Sequence, residues 1–410
     1  MPKGKGPNRA VTQQILRDYK KHGNVVLEEL DQILESGEIG ATELDLVSCL
    51  EADFGPSYRS DVMTMGADAM EAIITSGTFN KMVPKIIRTA LAEQPKEEYF
   101  LLNRVTVETK GECEDGYEDH GVFSDPQVEE VCELQKPPMF GVATDFMTHP
   151  KGKQYGLGFA FTREAVCRDP NSFIQQQIPK IADAHNQKFE DILLDLFVGY
   201  TNTYNRSGTD YDTYYAADGT STPFGDGSGG PWINAQANDL TCPSDFQAAR
   251  NLFYDFRDMV HGRPIPVPMT GLSVVTSPQK ADAVRPKLLA TAIEDDVTCN
   301  GGDTVKYIMT AAVANQMTFD LLSYQRLVDR IALRWGITTT EAQNWWWLGN
   351  IPEFMSLVYN IRPTVTRCPQ DAEACQRRIV AQYTSLSKGY AYVRSPYRGM
   401  WFTPVEESGG

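Results

Sequence analysis

A glycine-rich run from Gly225 to Pro231 is the segment in which a catalytic nucleophile would be easiest to accommodate. It places Ser228 among glycines, but Asp226 stands where a Gly-x-Ser-x-Gly elbow needs its first glycine. A serine nucleophile also needs a histidine that a carboxylate orients. The chain has five histidines, and they stand in no recognisable signature: His22, His120, His149, His185 and His261. The run therefore predicts a glycine-rich turn, and we expect no catalytic residue.

A second group of residues has the chemistry of a calcium site. Asp210, Asp212 and Asp218 lie close in the sequence, and carboxylates are ligands that Ca²⁺ prefers. The spacing lacks both the glycine at position six and the distal bidentate glutamate of an EF-hand loop. Ion binding here stays an alternative to a polar turn. No phosphate-cradling glycine loop and no paired His or Cys motif occurs in the sequence, so we expect no metal site and no cofactor.

Two further features carry functional side chains but favour structural roles. His185 and Glu190 lie on a predicted long helix, where a solvated or interface position is commoner than metal ligation. The three consecutive tryptophans at 345–347 point in different directions, because neighbouring side chains do not share a face. We expect them to fill a domain junction or a subunit contact rather than to stack on bases.

The elements that would position these residues are clearest between residues 154 and 199. Apolar residues alternate along the first part, which predicts a strand with one buried face: Tyr155, Leu157, Phe159 and Phe161. Capping residues at 169–172 then precede a helical stripe: Ile174, Ile178, Ile181, Phe189, Leu193 and Phe197. Because proline breaks a helix interior but suits a first helical position, we expect a short helix to about Ile178. A long helix should follow from Pro179 to Val198, ended by Gly199.

Charge divides the chain before this segment. The first two dozen residues are basic, and residues 28–53 are acidic. Apolar spacing predicts amphipathic helices there, broken near Gly23, and a further helix from Gly66 to Leu91. From Val105 to Gly152 there is little helical period. The outgoing limb of this long loop is acidic, and its return limb carries Lys136, Lys151 and Lys153. Loops of this length are uncommon in compact domains unless they are functional or carry strands of their own.

The segments after the long helix alternate in type. Residues 200–241 form a polar, turn-dense insertion with no clear core of its own. An αβα passage follows. Its predicted elements are a helix from Ser244 to Gly262, a strand from Gly271 to Thr276, a helix starting at Ser277-Pro278, and a helical patch from Thr318 to Trp335. The chain from Met355 to Phe402 reads as strands and turns.

Composition excludes several classes of protein. A formal charge of −16 argues against a dedicated nucleic-acid binder, which needs a basic face. No apolar run reaches the roughly 20 residues of a membrane span, and the polar, basic N-terminus predicts no signal peptide. The eight cysteines are widely spaced, which favours free thiols. A disulfide between Cys368 and Cys375 is the alternative.

The strand that ends in Phe161-Thr162-Arg163-Glu164-Ala165, followed by Asp169 and a long helix, resembles the major capsid proteins of tailed bacteriophages. Those proteins have the Hong Kong 97-type shell fold, which encapsulins share. The resemblance covers roughly residues 95–400 and is one of residue types and element order. In the family, an extended β-hairpin loop that reaches over an adjacent subunit precedes the strand and its spine helix. The long loop from 105 to 152 occupies that position.

The resemblance implies an α+β chain of the Hong Kong 97 type. The expected segments are an N-terminal helical arm (1–95), a strand with the extended hairpin loop (96–160), a peripheral domain with the spine helix and the polar insertion (161–240), an axial domain (241–352) and return strands of the peripheral domain (353–410). It also implies a non-enzymatic protein that self-assembles into pentamers and hexamers of an icosahedral head enclosing double-stranded DNA. An acidic inner wall would repel that DNA, although solubility explains the charge equally well.

The implied partners are copies of the chain itself, with scaffold, portal and decoration proteins and packaged DNA bound without sequence specificity, and no membrane. The implied location is the virion capsid after assembly in the host cytoplasm. The family's covalent cross-link is not carried over. Lys151 and Lys153 lie on the appropriate loop, but the sequence identifies neither an asparagine partner nor a catalytic glutamate. Two alternatives stay open: an encapsulin-like compartment with protein cargo, and a cytoplasmic enzyme without a local motif.

Overall fold

The computed structural model describes residues 12–15, 17–18, 99–114, 116–120, 146–162, 173–216, 224, 231–241, 243–257, 262, 264–265, 271–288, 296–298, 304–306, 319–367 and 379–404. The strands in these ranges are β1 (Thr106–Thr109), β2 (Glu118–His120), β3 (Phe146–Thr148), β4 (Lys153–Thr162), β5 (Tyr204–Arg206), β6 (Thr209–Tyr211), β7 (Ala235–Ala237), β8 (Leu272–Thr276), β9 (Asp296–Thr298), β10 (Thr304–Lys306), β11 (Phe319–Ser323), β12 (Trp346–Gly349), β13 (Met355–Arg367), β14 (Ile379–Val393) and β15 (Gly399–Thr403). The α-helices are α1 (Phe173–Phe197), α2 (Pro243–Leu252), α3 (Pro278–Leu288), α4 (Gln325–Trp335), α5 (Thr339–Gln343) and α6 (Ile351–Phe354).

Two sheets form the frame of the subunit. The first has the order β1-β13-β14-β4, in which β1 is parallel to β13 and the other pairs are antiparallel. The second has the order β11-β8-β12-β15-β7 and mixes parallel and antiparallel pairs. A smaller antiparallel sheet, β2-β3-β5-β6, lies at the base of the long loop. Helices and sheets together confirm the predicted α+β class.

Helix α1 is the spine that both sheets share. It contacts β13 and β14 of the first sheet, and its described apolar stripe is buried at Ile181, Phe189, Leu193 and Phe197. Gly199 ends it as predicted, with φ of 73° in the left-handed region that glycine tolerates best. The predicted break at Pro179 is wrong, because one helix of 25 residues runs through it. Proline removes one backbone donor, and burial of the stripe offsets that loss because tertiary packing supplies most helix stability.

An aromatic cluster joins the C-terminal end of α1 to the second sheet. The Phe197 ring lies 4.8 Å from Trp347 and 5.4 Å from Trp401, measured between centroids. The Trp401 indole N–H donates to the Phe197 carbonyl oxygen at 2.8 Å. Trp347 passes so close to Gly399 that a Cβ there would lie 2.3 Å from the ring. All three consecutive tryptophans are buried within the subunit, and the junction or subunit contact expected for them stays a prediction.

The polar insertion is predicted to have no clear core of its own, and its described apolar residues pack into the main core of the subunit. Its buried apolar side chains are Tyr204, Tyr214, Ala216, Trp232, Ala235 and Leu240. Buried Asn234 accepts from the Tyr215 N–H at 2.9 Å and donates to the carbonyls of Thr213 and Pro396. Through β5 and β7 the insertion pairs with two different sheets. Composition indicated its turns but not this shared packing.

Two predicted helices have different bounds. The helix predicted from Ser244 to Gly262 covers only α2, because a 3-10 turn follows and Phe256 is extended. In this conformation the Phe256 carbonyl accepts from the Ile265 N–H at 3.1 Å. The helical patch predicted from Thr318 to Trp335 is strand β11 followed by α4. Strand β11 pairs in parallel with β8, and periodicity alone cannot separate a short buried strand from a helix.

The other predicted elements beyond residue 270 are confirmed. They are strand β8, helix α3 with Ser277 accepting from the Lys280 N–H at 3.0 Å, and the returning strands β13 to β15. Residues 12–15 and 17–18 are helical, as expected. The predicted helices between 19 and 98, the tip of the long loop, the motif residues 163–169, and Cys368 with Cys375 lie outside the described residues. No helix in the described ranges is both long and apolar enough to cross a bilayer.

Candidate assembly interface

The base of the long loop is an antiparallel hairpin. Strand β2 pairs with β3 in the register Asp119↔Met147, which confirms a hairpin within the segment predicted from 105 to 152. Strand β3 also pairs with β5, and the Ser207 N–H donates to the Phe146 carbonyl at 2.8 Å. Met147 is buried beneath this small sheet. The insertion therefore pairs with the base of the hairpin.

His149 lies at the base of the hairpin. Its ring is 3% exposed, stacks on Tyr117 at 4.2 Å and meets the edge of Tyr392 at 4.4 Å. Neither ring nitrogen has a hydrogen-bond partner among the described residues. Burial lowers the pKa of His149, and the nearby carboxylates of Asp119 and Glu108 oppose that shift only in part. The imidazole is therefore uncharged, and its ring packs between the base of the hairpin and β14.

Strand β4, which returns from the hairpin, lies at the edge of the first sheet. It is ten residues long and pairs with β14 along one side, while the described residues supply no strand for its other side. Tyr155 packs edge-on against Phe189 at 5.7 Å, but Leu157 is 40% exposed. The predicted buried face is therefore buried only in part. An open edge of this length with an exposed apolar side chain is suited to pairing with another chain.

A buried carboxylate binds the backbone of the turn at 99–105, which precedes the hairpin. Glu190 on α1 is fully buried and accepts from the backbone N–H groups of Leu101 and Leu102 at 3.0 and 2.8 Å. The Tyr324 hydroxyl, just before α4, donates to the same carboxylate at 2.9 Å. Burial raises the pKa of Glu190, although these three donors stabilise its charged form. The expectation of a solvated or interface role for Glu190 is wrong.

A second carboxylate ties α1 to α4 through arginines. Arg330 and Arg334 each donate two hydrogen bonds of 2.6–2.7 Å to the Asp195 carboxylate. Arg326 pairs with Asp191 at 3.0 Å. Burial alone would raise the pKa of Asp195, but the hydrogen bonds from Arg334 and Arg330 outweigh it and the pKa lies below its ordinary value. The spacing of arginines at 326, 330 and 334 against aspartates at 191 and 195 is a helix-face signal that the sequence contained.

The predicted loop lysines meet α1 at a cavity of about 250 Å³. Lys151 and Lys153 line one side, and Lys188 of α1 lines another. All three side chains are exposed, and none of them forms an ion pair with a described residue. The apolar lining consists of Pro150, Tyr155, Ile192, Leu196, Tyr390 and Ala391. The lysines are therefore gathered on one surface, and no carboxylate of the described residues pairs with them.

The remaining residues singled out in the sequence serve the fold. His185 is buried between the hydroxyls of Ser385 and Ser387, each 2.9 Å from a ring nitrogen, so the expectation of a solvated or interface position is wrong. Asp210 and Asp212 each accept from a separate asparagine, Asn205 and Asn202. Asp218 and Ser228 lie outside the described residues. Within the part of the chain that the structure describes, no group of His, Cys, Asp and Glu is arranged to hold a metal ion.

Comparison with known proteins identifies the family. The sequence model of a phage capsid protein family matches residues 148–366, which is more than half of the chain. This chain belongs to the phage capsid protein family. The matched range runs from strand β3 through the spine helix to strand β13, and its role is structural, in the capsid of the virion. The resemblance to phage capsid proteins is therefore confirmed. Among curated proteins, none matches the chain.

Solved capsids are similar to this capsid protein at low sequence identity. The capsid of a native GTA particle aligns with a TM-score of 0.43 and 10% identity, covering 76% of this chain and 92% of the other. The Gordonia phage Cozz structure aligns with a TM-score of 0.40 and 14% identity, covering 77% and 89%. A virus-like particle from Pyrococcus furiosus aligns with a TM-score of 0.36 and 8% identity, covering 77% and 97%. The family assignment rests on the sequence match and takes nothing from these distant likenesses.

The sequence did not indicate three features of the region around the hairpin base and the spine helix. The turn at 99–105, which is buried against α1, has no periodic pattern long enough to stand out. Burial of Glu190 has no local signal, because its donors come from positions 88 to 134 residues away. The aromatic surroundings of His149 come from two separate strands. The arginine spacing on α4 was the one signal available before the structure.

Proposed function

We propose that this capsid protein is the major shell subunit of a tailed-phage head. Copies of the chain associate into pentamers and hexamers of an icosahedral shell that encloses double-stranded DNA. The observation that carries the proposal is the edge of β4, which no strand of the described residues covers, combined with a hairpin whose base is fixed by the β2-β3-β5-β6 sheet. A stable monomer would expose this edge to uncontrolled pairing, whereas a shell covers it with a neighbouring subunit.

The mechanism is geometric. The 25 residues between His120 and Phe146 can extend at most about 40 Å from the hairpin base and return. That reach is comparable to the width of a subunit domain, so the tip contacts a neighbour. Permanent interfaces of this kind bury roughly 2,000 Å² or more. Shell stability then arises from association as much as from each subunit core.

The proposal includes the finer assignments that the resemblance implies. Scaffold, portal and decoration proteins are the expected further partners, and assembly takes place in the host cytoplasm. The division into arm (1–95), hairpin segment (96–160), peripheral domain (161–240), axial domain (241–352) and return strands (353–410) belongs to it as well. The protein acts without catalytic residues, metal or cofactor. Packaged DNA is held without sequence-specific contacts, in keeping with the charge of −16.

Assembly itself is the direct test. The full chain, expressed alone and with its phage partner proteins, is analysed by size-exclusion chromatography followed by electron microscopy. Closed shells built from pentamers and hexamers are expected. A stable monomer or dimer under every condition would contradict the proposal. Nuclease-resistant double-stranded DNA in particles from infected cells supports the phage-head role, whereas an enclosed protein cargo in its place argues for a compartment.

A second experiment tests the hairpin. Residues 121–145 are replaced by Asn-Gly, a two-residue turn that suits the paired ends His120 and Phe146. The variant should keep the circular dichroism spectrum of the folded subunit but form no shells. The matched control inserts Asn-Gly after His120 and retains residues 121–145. Normal shells from the shortened variant would show that the hairpin is not the assembly element.

A further inference from the structure

The cavity between α1 and the return limb of the hairpin has a large local excess of positive charge. Lys151, Lys153 and Lys188 line it, and Asp195 is the only acidic residue in its lining. Two guanidinium groups, of Arg330 and Arg334, already bind that carboxylate. No carboxylate of the lining is therefore left to neutralise the lysines. This is unusual in a chain with a net charge of −16.

The cavity is also partly apolar. Ile192, Leu196 and Tyr155 form part of its lining, and the lysines surround them. At about 250 Å³ the cavity accommodates a few side chains rather than a double helix. An occupant that fits both properties presents carboxylates and aliphatic side chains together. A polyanion such as DNA would match the lysines only.

We propose that the acidic N-terminal segment of the chain, residues 28–53, docks on this lysine-lined cavity. The segment contains nine acidic residues and no lysine or arginine: Glu28, Glu29, Asp31, Glu35, Glu38, Glu43, Asp45, Glu51 and Asp53. Leu30, Ile33 and Leu34 supply an apolar stripe at helical spacing between them. Carboxylates of the segment pair with the lysines, and its aliphatic side chains cover the apolar lining.

Charge separates this segment from the other acidic stretch of the chain. Residues 121–145 of the hairpin carry five acidic residues and one lysine, a net charge of −4, against −9 for residues 28–53. Chain continuity also favours the N-terminal segment. Tyr99, where the continuously described chain begins, donates its hydroxyl proton to the Asp183 carbonyl at 3.2 Å, on the same helix as Lys188. The 45 residues 54–98 join that point to the segment and are long enough to reach the cavity.

Zero-length carbodiimide cross-linking of the full chain tests the docking, because it joins only carboxylates and amines already in contact. We expect amide cross-links, read by mass spectrometry, from acidic residues 28–53 to Lys188 and to Lys151 or Lys153. The yield should fall at 1 M salt, where charges are screened within roughly 3 Å. Cross-links from these lysines to Asp125, Glu129 or Glu130 in their place would overturn the proposal. So would lysines that are protected from modification only while DNA is present.

Charge reversal provides the second arm. In the variant K151E/K153E/K188E, the three lysines of the cavity become glutamates, which repel the acidic residues 28–53. Hydrogen exchange in residues 28–53 should accelerate about tenfold or more, because several ion pairs are lost together. Reversing E28K/E29K/D31K in the same chain should restore protection. The matched control K180E changes an exposed lysine of α1 outside the cavity and should leave protection unchanged.

This proposal does not depend on the proposed shell function. If wild-type protein shows the cross-links but forms no shell, the docking stands and the shell function fails. If wild-type protein forms shells and the triple variant keeps full protection of residues 28–53, the docking fails and the shell function stands. Mixing chains of light and heavy nitrogen shows whether the segment comes from the same or a neighbouring subunit, and a cross-link of either origin supports the docking.

Discussion

The spine helix carries two carboxylates five residues apart, Glu190 buried and Asp195 half-buried, and their surroundings differ in kind. Glu190 is surrounded by neutral donors, two backbone N–H groups and a tyrosine hydroxyl. Asp195 is surrounded by two guanidinium groups. Burial raises the pKa of Glu190, whereas the arginines hold the pKa of Asp195 below its ordinary value. The same chemical group on one helix therefore responds to pH in opposite directions.

The difference shows what each carboxylate contributes to the subunit. Glu190 connects three segments that are distant in sequence: the turn at 99–105, α1 and the start of α4. The Asp195 carboxylate connects α1 to α4 through Arg330 and Arg334, and Asp195 also lines the lysine-lined cavity. Glu190 binds the turn that precedes the hairpin. Asp195 is the acidic residue of the cavity lining, and it pairs with arginines instead of the lysines.

The largest expected effect is that of Glu190→Ala. It leaves two backbone N–H groups and the Tyr324 hydroxyl buried without an acceptor, each costing about 1–3 kcal/mol. We expect the free energy of unfolding to fall by about 4 kcal/mol, measured by urea denaturation of the free subunit. Glu190→Gln keeps one acceptor oxygen and should lose less than about 2 kcal/mol. Equal losses for the two variants would contradict the role of the neutral donors.

Asp195→Asn should have the next largest effect. It leaves Arg330 and Arg334 partly buried without their counter-charge, and breaking a buried pair costs about 3–5 kcal/mol. Because these side chains keep some solvent contact, we expect a loss of about 2–3 kcal/mol by thermal or urea unfolding. Asp191→Asn removes a single, more exposed pair with Arg326 and is the control, expected to lose under about 1 kcal/mol. A control loss as large as that of Asp195→Asn would disprove the distinction.

The pH dependence of these two variants should differ in sign. A raised folded-state pKa means that Glu190 stabilises the fold most below its ordinary value of 4.5, and this stability is lost as pH rises through the folded pKa. A lowered pKa means that Asp195 stabilises the fold above 3.8 and that this stability is lost as pH falls through the folded pKa. Unfolding free energies of wild type, Glu190→Gln and Asp195→Asn across pH 3–8 provide the check. Parallel curves would show that neither shift exists.

His149 extends the comparison to a buried polar side chain. Its two ring nitrogens have no hydrogen-bond partner in the described chain. Its pKa lies below the ordinary 6.5, so the folded state resists protonation and stability falls as pH drops below 6.5. His149→Phe keeps the aromatic contacts and removes the polar nitrogens. The variant should be as stable as wild type or up to ~1 kcal/mol more stable at pH 7. Its loss of stability between pH 6.5 and 5 should be smaller, and an unchanged loss would place that titration elsewhere.

Local patterns predicted the elements whose information is contained in a few consecutive residues. The alternation at Tyr155, Leu157 and Phe159 predicted β4, and Gly199 marked the end of α1 because a left-handed φ favours glycine. The rule for proline failed at Pro179, since packing of the whole helix outweighs one missing hydrogen bond. The bounds around 318–335 failed because β11 pairs with the distant strand β8, and those around 244–262 failed because the chain becomes extended at Phe256 and bonds to Ile265.

The sequence by itself determined the α+β class, the order of hairpin, spine helix and returning strands, and the membership in a capsid family, because periodicity, turn residues and residue types are local properties. Only the tertiary structure decided that Glu190 and His185 are buried, that the polar insertion shares the main core, and that three lysines meet at one cavity. Those facts depend on contacts between residues that lie far apart in the sequence, 200 positions in the case of His185 and Ser385. Burial and charge pairing are fixed by such contacts, and no short stretch of sequence contains them.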